Sequence, residues 1–158
     1  MRPFRFAVLA VLVATAVPAQ AADVPGSNPS IKSPTVAERL AAARKAIDAR
    51  DWNAATRELN AAVREDPRNA DVHNLLGYSY RKRTTPDLAK AFEHYNTALK
   101  LDPRHKGAHE YIGEAYLMDN KPAEAEKHLA ELEKICGGKA CEEYQDLAKS
   151  IAEYRAKK

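Results

Sequence analysis

Leu75-Leu76-Gly77-Tyr78-Ser79-Tyr80 is answered 36 residues later by Tyr111-Ile112-Gly113-Glu114-Ala115-Tyr116. Each copy is followed by a segment of small and large residues at helical spacing: Ala91, Tyr95 and Ala98 after the first, then Ala125, Leu129 and Leu132 after the second. An earlier segment, Ala55, Leu59 and Ala62, fits the same frame. Self-similarity at such a period marks a stack of supersecondary units, none of which buries its apolar face alone. The step between the first two segments is 36 residues and between the last two 34. A two-residue insertion in the turn Lys82 to Asp87 accounts for both.

Working outward, the pattern predicts six helices in three hairpins from Thr35 onward. Thr35-x-x-Glu38 has the form of a capping box, in which the Thr oxygen and the Glu carboxylate satisfy donors that the first helical turn leaves unpaired. Asp51, Asn69, Thr85-Pro86 and Pro122 punctuate the other starts. A seventh helix follows Gly137-Gly138, with Tyr144, Leu147, Ala148, Ile151 and Tyr154 on one face. Such a helix covers the apolar surface that a solenoid leaves bare at its last repeat.

These residues resemble the tetratricopeptide repeat family, whose helix-turn-helix unit carries Leu-Gly-x-x-Tyr in its first helix, Ala and an aromatic in its second, and a closing Pro. Leu76-Gly77-Tyr80 and Ile112-Gly113-Tyr116 match the first-helix signature. Ala91, Tyr95, Ala98 and Pro103 nearly complete the second-helix one. The first repeat departs, with Arg39, Ala42, Ala43 and Ala46 at the signature positions, and Gly137 replaces the closing Pro of the third. The resemblance implies an all-α fold, an α-solenoid of three helix-turn-helix repeats (about 35–67, 68–103 and 104–138) plus a C-terminal capping helix (about 140–156). The expected domain is 35–158, with one continuous core.

Ahead of the repeats, Arg2 and Arg5 precede an apolar run from Phe6 to Val17, and Ala19-Gln20-Ala21 supplies small residues for cleavage. This is the pattern of a secretory signal peptide over 1–21, predicting a mature start at Ala22 and a periplasmic or secreted protein. The run is too short for a helix to cross a bilayer, so no stable membrane span is expected in the mature form. Residues 22–34, rich in Pro and Ser, read as a flexible linker. Losing Arg2 and Arg5 lowers the formal net charge from +3 to +1. That balance gives no support to nucleic-acid binding, which requires a clustered basic face.

Cys136 and Cys141 are the two cysteines. In an exported chain, a pair flanking a Gly-Gly turn reads first as a disulfide fixing how the capping helix leaves the repeat. A redox or metal-handling accessory, using these cysteines and histidines, is the alternative reading. His73 and His109 hold equivalent first-helix positions, and His94 and His128 equivalent second-helix positions. Recurrence with the structural period favours packing over metal ligation, so neither a metal site nor a cofactor is expected. On this reading His105 has no specific partner. Tyr80, Tyr95, Tyr116 and Tyr144 are expected in the core with hydroxyls near its edge. No phosphate loop, nucleophile elbow or zinc-binding His pair is present, and no enzymatic activity is expected.

The resemblance further implies a concave surface lined by the first helices, binding another exported protein or a peptide segment. In the family's register Ala37, Leu40, Arg44 and Ile47 face the groove, then Asp71, Asn74, Tyr78 and Arg81, then Gly107, Glu110, Glu114 and Leu117. The i, i+3, i+7, i+10 spacing keeps each set on one helix face. Arg44, Asn74, Tyr78, Arg81, Glu110 and Glu114 are the candidate contact residues. Members that bind chaperone tails use a Lys and Asn clamp for a terminal carboxylate; Leu40, Arg44, Leu75, Gly107 and Tyr111 stand at those places, so that ligand is disfavoured. The expected role is that of an adaptor, scaffold or assembly factor.

Overall fold

A computed structural model of the protein describes residues 32–157. The expected signal peptide and residues 22–31 of the expected linker lie outside them. The described residues form seven helices and no strand: α1 (Val36–Asp48), α2 (Trp52–Glu65), α3 (Ala70–Arg81), α4 (Leu88–Leu101), α5 (Lys106–Met118), α6 (Pro122–Cys136) and α7 (Glu142–Ala156). They pack as the hairpins α1–α2, α3–α4 and α5–α6, each leaning on the next in sequence, with α7 against both α5 and α6.

Local chemistry sets most of the helix ends. Thr35 and Glu38 form the full capping box, and Asp51 and Asn69 cap α2 and α3 through their side-chain oxygens. The start of α4 differs from expectation: Asp87, not Thr85-Pro86, accepts from the Lys90 N–H. At α6 the cap is Lys121, which makes no side-chain cap bond, and Pro122 occupies the first turn, where its missing N–H costs nothing. Gly137 ends α6 in the left-handed region at φ 67°, a conformation that glycine adopts without steric penalty.

The core falls into two clusters rather than one. Leu40, Leu59, Val72, Leu76, Tyr95 and Ile112 anchor the larger; Leu117, Leu132, Leu147 and Ile151 anchor the smaller, and Tyr116 packs against both. Leu147 and Ile151 are buried on α7. Each such side chain contributes about 1.5–3 kcal/mol before ordering entropy is subtracted. In the first hairpin Arg39 replaces an apolar signature residue, and pairs across to Glu65 at 2.7 Å and Glu58 at 3.2 Å.

The two signature glycines make room for different neighbours. A Cβ at Gly77 would meet the Tyr95 ring of its own hairpin at 2.5 Å, whereas one at Gly113 would meet Leu147 of α7 at 2.7 Å. A shared explanation through the hairpin partner therefore fails for Gly113. There the small residue admits the capping helix.

Candidate protein-binding groove

The face shared by α1, α3 and α5 is built on Tyr78 and Tyr111, whose ring centroids lie 4.8 Å apart. Trp52, at the first position of α2, meets Tyr78 edge-on at 6.3 Å. Arg44, Ile47, Asp48, Leu75, Tyr78 and Tyr111 line a cleft of about 320 Å³. A larger one, about 670 Å³, continues from it past Trp52 to Arg50, Lys82 and Thr84. Tyr78, Tyr111, Trp52 and Leu75 are all partly exposed, so the groove offers aromatic and aliphatic surface to a partner.

Arg81 is not a solvent-facing contact. It is 5% exposed, lies 2.5 Å from Glu114 of α5, and donates from Nε to the Tyr95 hydroxyl of α4. Its guanidinium sits 5.4 Å from the Tyr78 ring centre and 5.6 Å from that of Tyr111. Burial disfavours the charge, but Tyr95 and Glu114 outweigh it, and the Arg81 pKa stands above its ordinary value. Arg81 thus ties three helices together beneath the groove. Removing Tyr78 and Arg81 together would disturb the core, contrary to what their register alone implies. Tyr95 is likewise fully buried, its hydroxyl inside the core rather than at its edge.

The remaining candidates divide. Arg44 is exposed and Glu114 half-buried, the latter accepting from the Ser150 hydroxyl of α7 at 3.1 Å. Asn74 is buried beside Gly107, and Glu110 is 9% exposed. Burial pushes the Glu110 carboxyl up to about 8, helped by the negative charges of Glu114, Asp146 and Glu143 and opposed by Arg81. It is mainly protonated at neutral pH. Burial first, and then neighbouring Glu110, also pushes Tyr111 up to about 12.

The histidines settle into a repeated arrangement. Nδ1 of His73 lies 3.2 Å from Nδ1 of His94 and Nε2 lies 3.1 Å from the Pro67 carbonyl; His109 repeats this with His128 at 2.9 Å and Pro103 at 3.0 Å. Tyr80 stacks on His94, and Tyr116 on His128. The aspartate-proline pairs that close two repeats are thereby locked to the next helix. His105 does have a partner, contrary to expectation: it caps α5 and pairs with Asp71 at 3.0 Å. Sequence reasoning missed Trp52, Arg50 and Lys82 because they sit at turns outside the first-helix register. The one available signal was an aromatic directly after the Asp51 cap.

Cys136 and Cys141 face each other with their sulfurs at bonding distance and their Cα atoms 6.1 Å apart, and Glu143 stands beside them.

The tetratricopeptide repeat profile matches residues 40–103 and 87–140. The chain belongs to the tetratricopeptide repeat family. Solved structures agree on the fold of this tetratricopeptide repeat protein. The first such domain of Spaghetti (RPAP3), bound to the HSP90 peptide SRMEEVD, superposes with a TM-score of 0.66 at 17% identity, over 77% of this chain and 94% of that one. The TPR2B domain of yeast Sti1, in its pHsp70 complex, gives 0.69 at 14%, over 78% and 98%. The Yersinia enterocolitica type III secretion translocator chaperone SycD gives 0.65 at 17%, over 81% and 94%. Among curated proteins none matches by sequence. The family is one of protein–protein interaction modules, and at these identities the structural likeness carries the fold alone.

Proposed function

We propose that the protein is an exported, periplasmic or secreted tetratricopeptide-repeat module, acting without catalysis as an adaptor, scaffold or assembly factor for another exported protein. The observation that carries the reading is the aromatic cleft shared by α1, α3 and α5, where Tyr78, Tyr111 and Leu75 remain partly open to solvent. The RPAP3 domain, similar in fold and bound to an HSP90 peptide, supports a peptide segment as ligand. Export rests on the Arg2–Ala21 pattern and on a cysteine pair suited to an oxidising compartment. None of the described helices is long and apolar enough to cross a membrane.

Site-specific photocrosslinking tests the groove. A photoreactive side chain at Tyr78 should give discrete adducts in the exported fraction, and one at exposed Asn96 of α4 should not. Equal adducts from both positions would overturn the groove reading. Intact mass of the exported protein tests the leader, and a dominant species retaining Met1 to Ala21 would refute cleavage before Ala22.

A further inference from the structure

Seven polar or charged residues other than tyrosine are buried among those described, and five of them are hydrogen-bonded inside the fold. Thr56 and Ser79 donate to carbonyls one turn back, His73 and His109 hold their histidine partners and proline carbonyls, and Arg81 holds Tyr95 and Glu114. The exceptions are Asn74 and Glu110. Asn74 Oδ1 is fully enclosed with no hydrogen-bond partner, and the Glu110 carboxyl, 9% exposed, makes no hydrogen bond to any described residue. Folded proteins pair nearly all such groups, because an unpaired one gives up its water for no bond in return.

The two exceptions are one position seen twice. Glu110 stands 36 residues after Asn74, the spacing of the repeat itself, and both fall in the groove-facing register. They are also neighbours in space. The Asn74 amide nitrogen lies 3.1 Å from where a Cβ of Gly107 would stand, and Gly107 is one turn before Glu110 on the same face of α5. In the first hairpin this position is Leu40, buried and apolar, so packing of the repeat does not call for a polar group there. Negative charge gathers round the pair: Glu114 on α5, with half-buried Glu143 and exposed Asp146 on α7. Arg81 of α3 opposes them but is already held by Tyr95 and Glu114. On the remaining sides His105 is paired with Asp71 of α3, and the Tyr111 phenol adjoins Glu110. Two acceptors without donors, set among carboxylates, select a donor that carries positive charge.

We infer that Asn74 and Glu110 receive a cationic side chain of the partner segment, an arginine by preference. The inference rests on the groove reading above and specifies its ligand. The planar guanidinium fork offers donors to the Asn74 oxygen and the Glu110 carboxylate at once, where a lysine ammonium is a single point charge. Without a partner, Glu110 is kept mainly protonated by its burial and its acidic neighbours. The arriving cation therefore displaces one proton to solvent, and the ion pair takes the place of the neutral acid.

The probes are three nonapeptides with acetylated and amidated ends, identical except for a central arginine, citrulline or glutamate between two leucines. Titration calorimetry in buffers of different ionisation enthalpy reads affinity and proton release together. The arginine peptide should bind about tenfold more tightly than the citrulline peptide, release about one proton at neutral pH, and gain about tenfold in affinity between about pH 6 and pH 8. Because His105 also titrates in that range, Glu110→Gln assigns the proton: it should abolish the release and the pH dependence, and bring the preference for arginine below about threefold. Asn74→Leu, the residue of the first hairpin, should weaken the arginine peptide about threefold or more while raising the melting temperature, an opposition that a merely structural Asn74 would not produce. Equal or better binding of the citrulline or glutamate peptide to the unaltered protein overturns the inference. So does arginine binding without proton release, and so does the failure of all three peptides to saturate. The groove reading stands or falls separately, on the Tyr78 crosslinks.

Discussion

A methyl group added at Gly77 would sit 2.5 Å from a Tyr95 ring that is fully buried and held by Arg81. At Gly113 the obstacle is the two terminal methyl groups of Leu147, equally buried but not held by a hydrogen bond as the Tyr95 ring is. Alanine in place of glycine gains about 1 kcal/mol of helix propensity, while overpacking costs typically about 1–3 kcal/mol. Gly77→Ala should therefore lose about 1–2 kcal/mol net, and Gly113→Ala should remain within about 1 kcal/mol of the parent. Urea titrations followed by circular dichroism compare them, and equal losses would show that Leu147 is as immovable as Tyr95. Arg81→Ala should cost about 2–4 kcal/mol, less than a fully buried pair because Glu114 keeps some contact with water. The identity of Gly77, Gly113 and Tyr95 as packing positions was readable from their recurrence. That Arg81 points inward was not, because its partners Tyr95 and Glu114 lie on other helices and no local pattern links them.

The helices themselves were legible wherever a side chain supplies its own signal, as the Thr35 box, Asp51 and Asn69 do. Where the turn was longer than its counterparts, at Lys82 to Asp87, propensity pointed to Thr85-Pro86 and the tertiary fit selected Asp87. The α6–α7 junction closes a short loop through Cys136 and Cys141. Cys136→Ala with Cys141→Ala should lower stability by about 2 kcal/mol in the chain-entropy model, and leave binding at Tyr78 unchanged at temperatures where the protein stays folded. Loss of crosslinking at Tyr78 in the folded double variant would instead tie the junction to the groove. The histidine pairs explain a further element-level trait. His73 donates from Nε2 to the Pro67 carbonyl, so its Nδ1 accepts from Nδ1–H of His94; the pair holds one proton between those nitrogens, and a second would set two N–H groups face to face. The same accounting applies to His109 and His128.

For the whole molecule, these groups act on stability with opposite sign. Burial first, then His109 and Lys127, with Glu124 and Glu131 opposing, lower His128 to about 4, and His94 is lowered by burial, His73 and Lys90 against Glu93. The unfolded chain then binds more protons, so their contribution is complete above about 6.5 and is lost as pH falls toward 4. Glu110, raised to about 8, does the reverse: its contribution is present below about 4.5 and declines as pH rises through 8. Between about 4.5 and 6.5 the two slopes oppose each other. His128→Gln should make the slope of stability against pH more negative in that window, and Glu110→Gln should flatten the decline from 6.5 to 8. Melting temperatures across pH 4 to 9 measure both, and parallel curves for parent and variants would remove these groups as the source. The stacked contacts carry one more consequence, for the order in which the chain opens. Each hairpin leans on its neighbours in sequence, and only α3–α4 has a hairpin on both sides. Its amides should be the last to exchange with deuterium, the first hairpin fraying inward from one end and α7 from the other, so that the molecule comes apart as a zipper with two free ends.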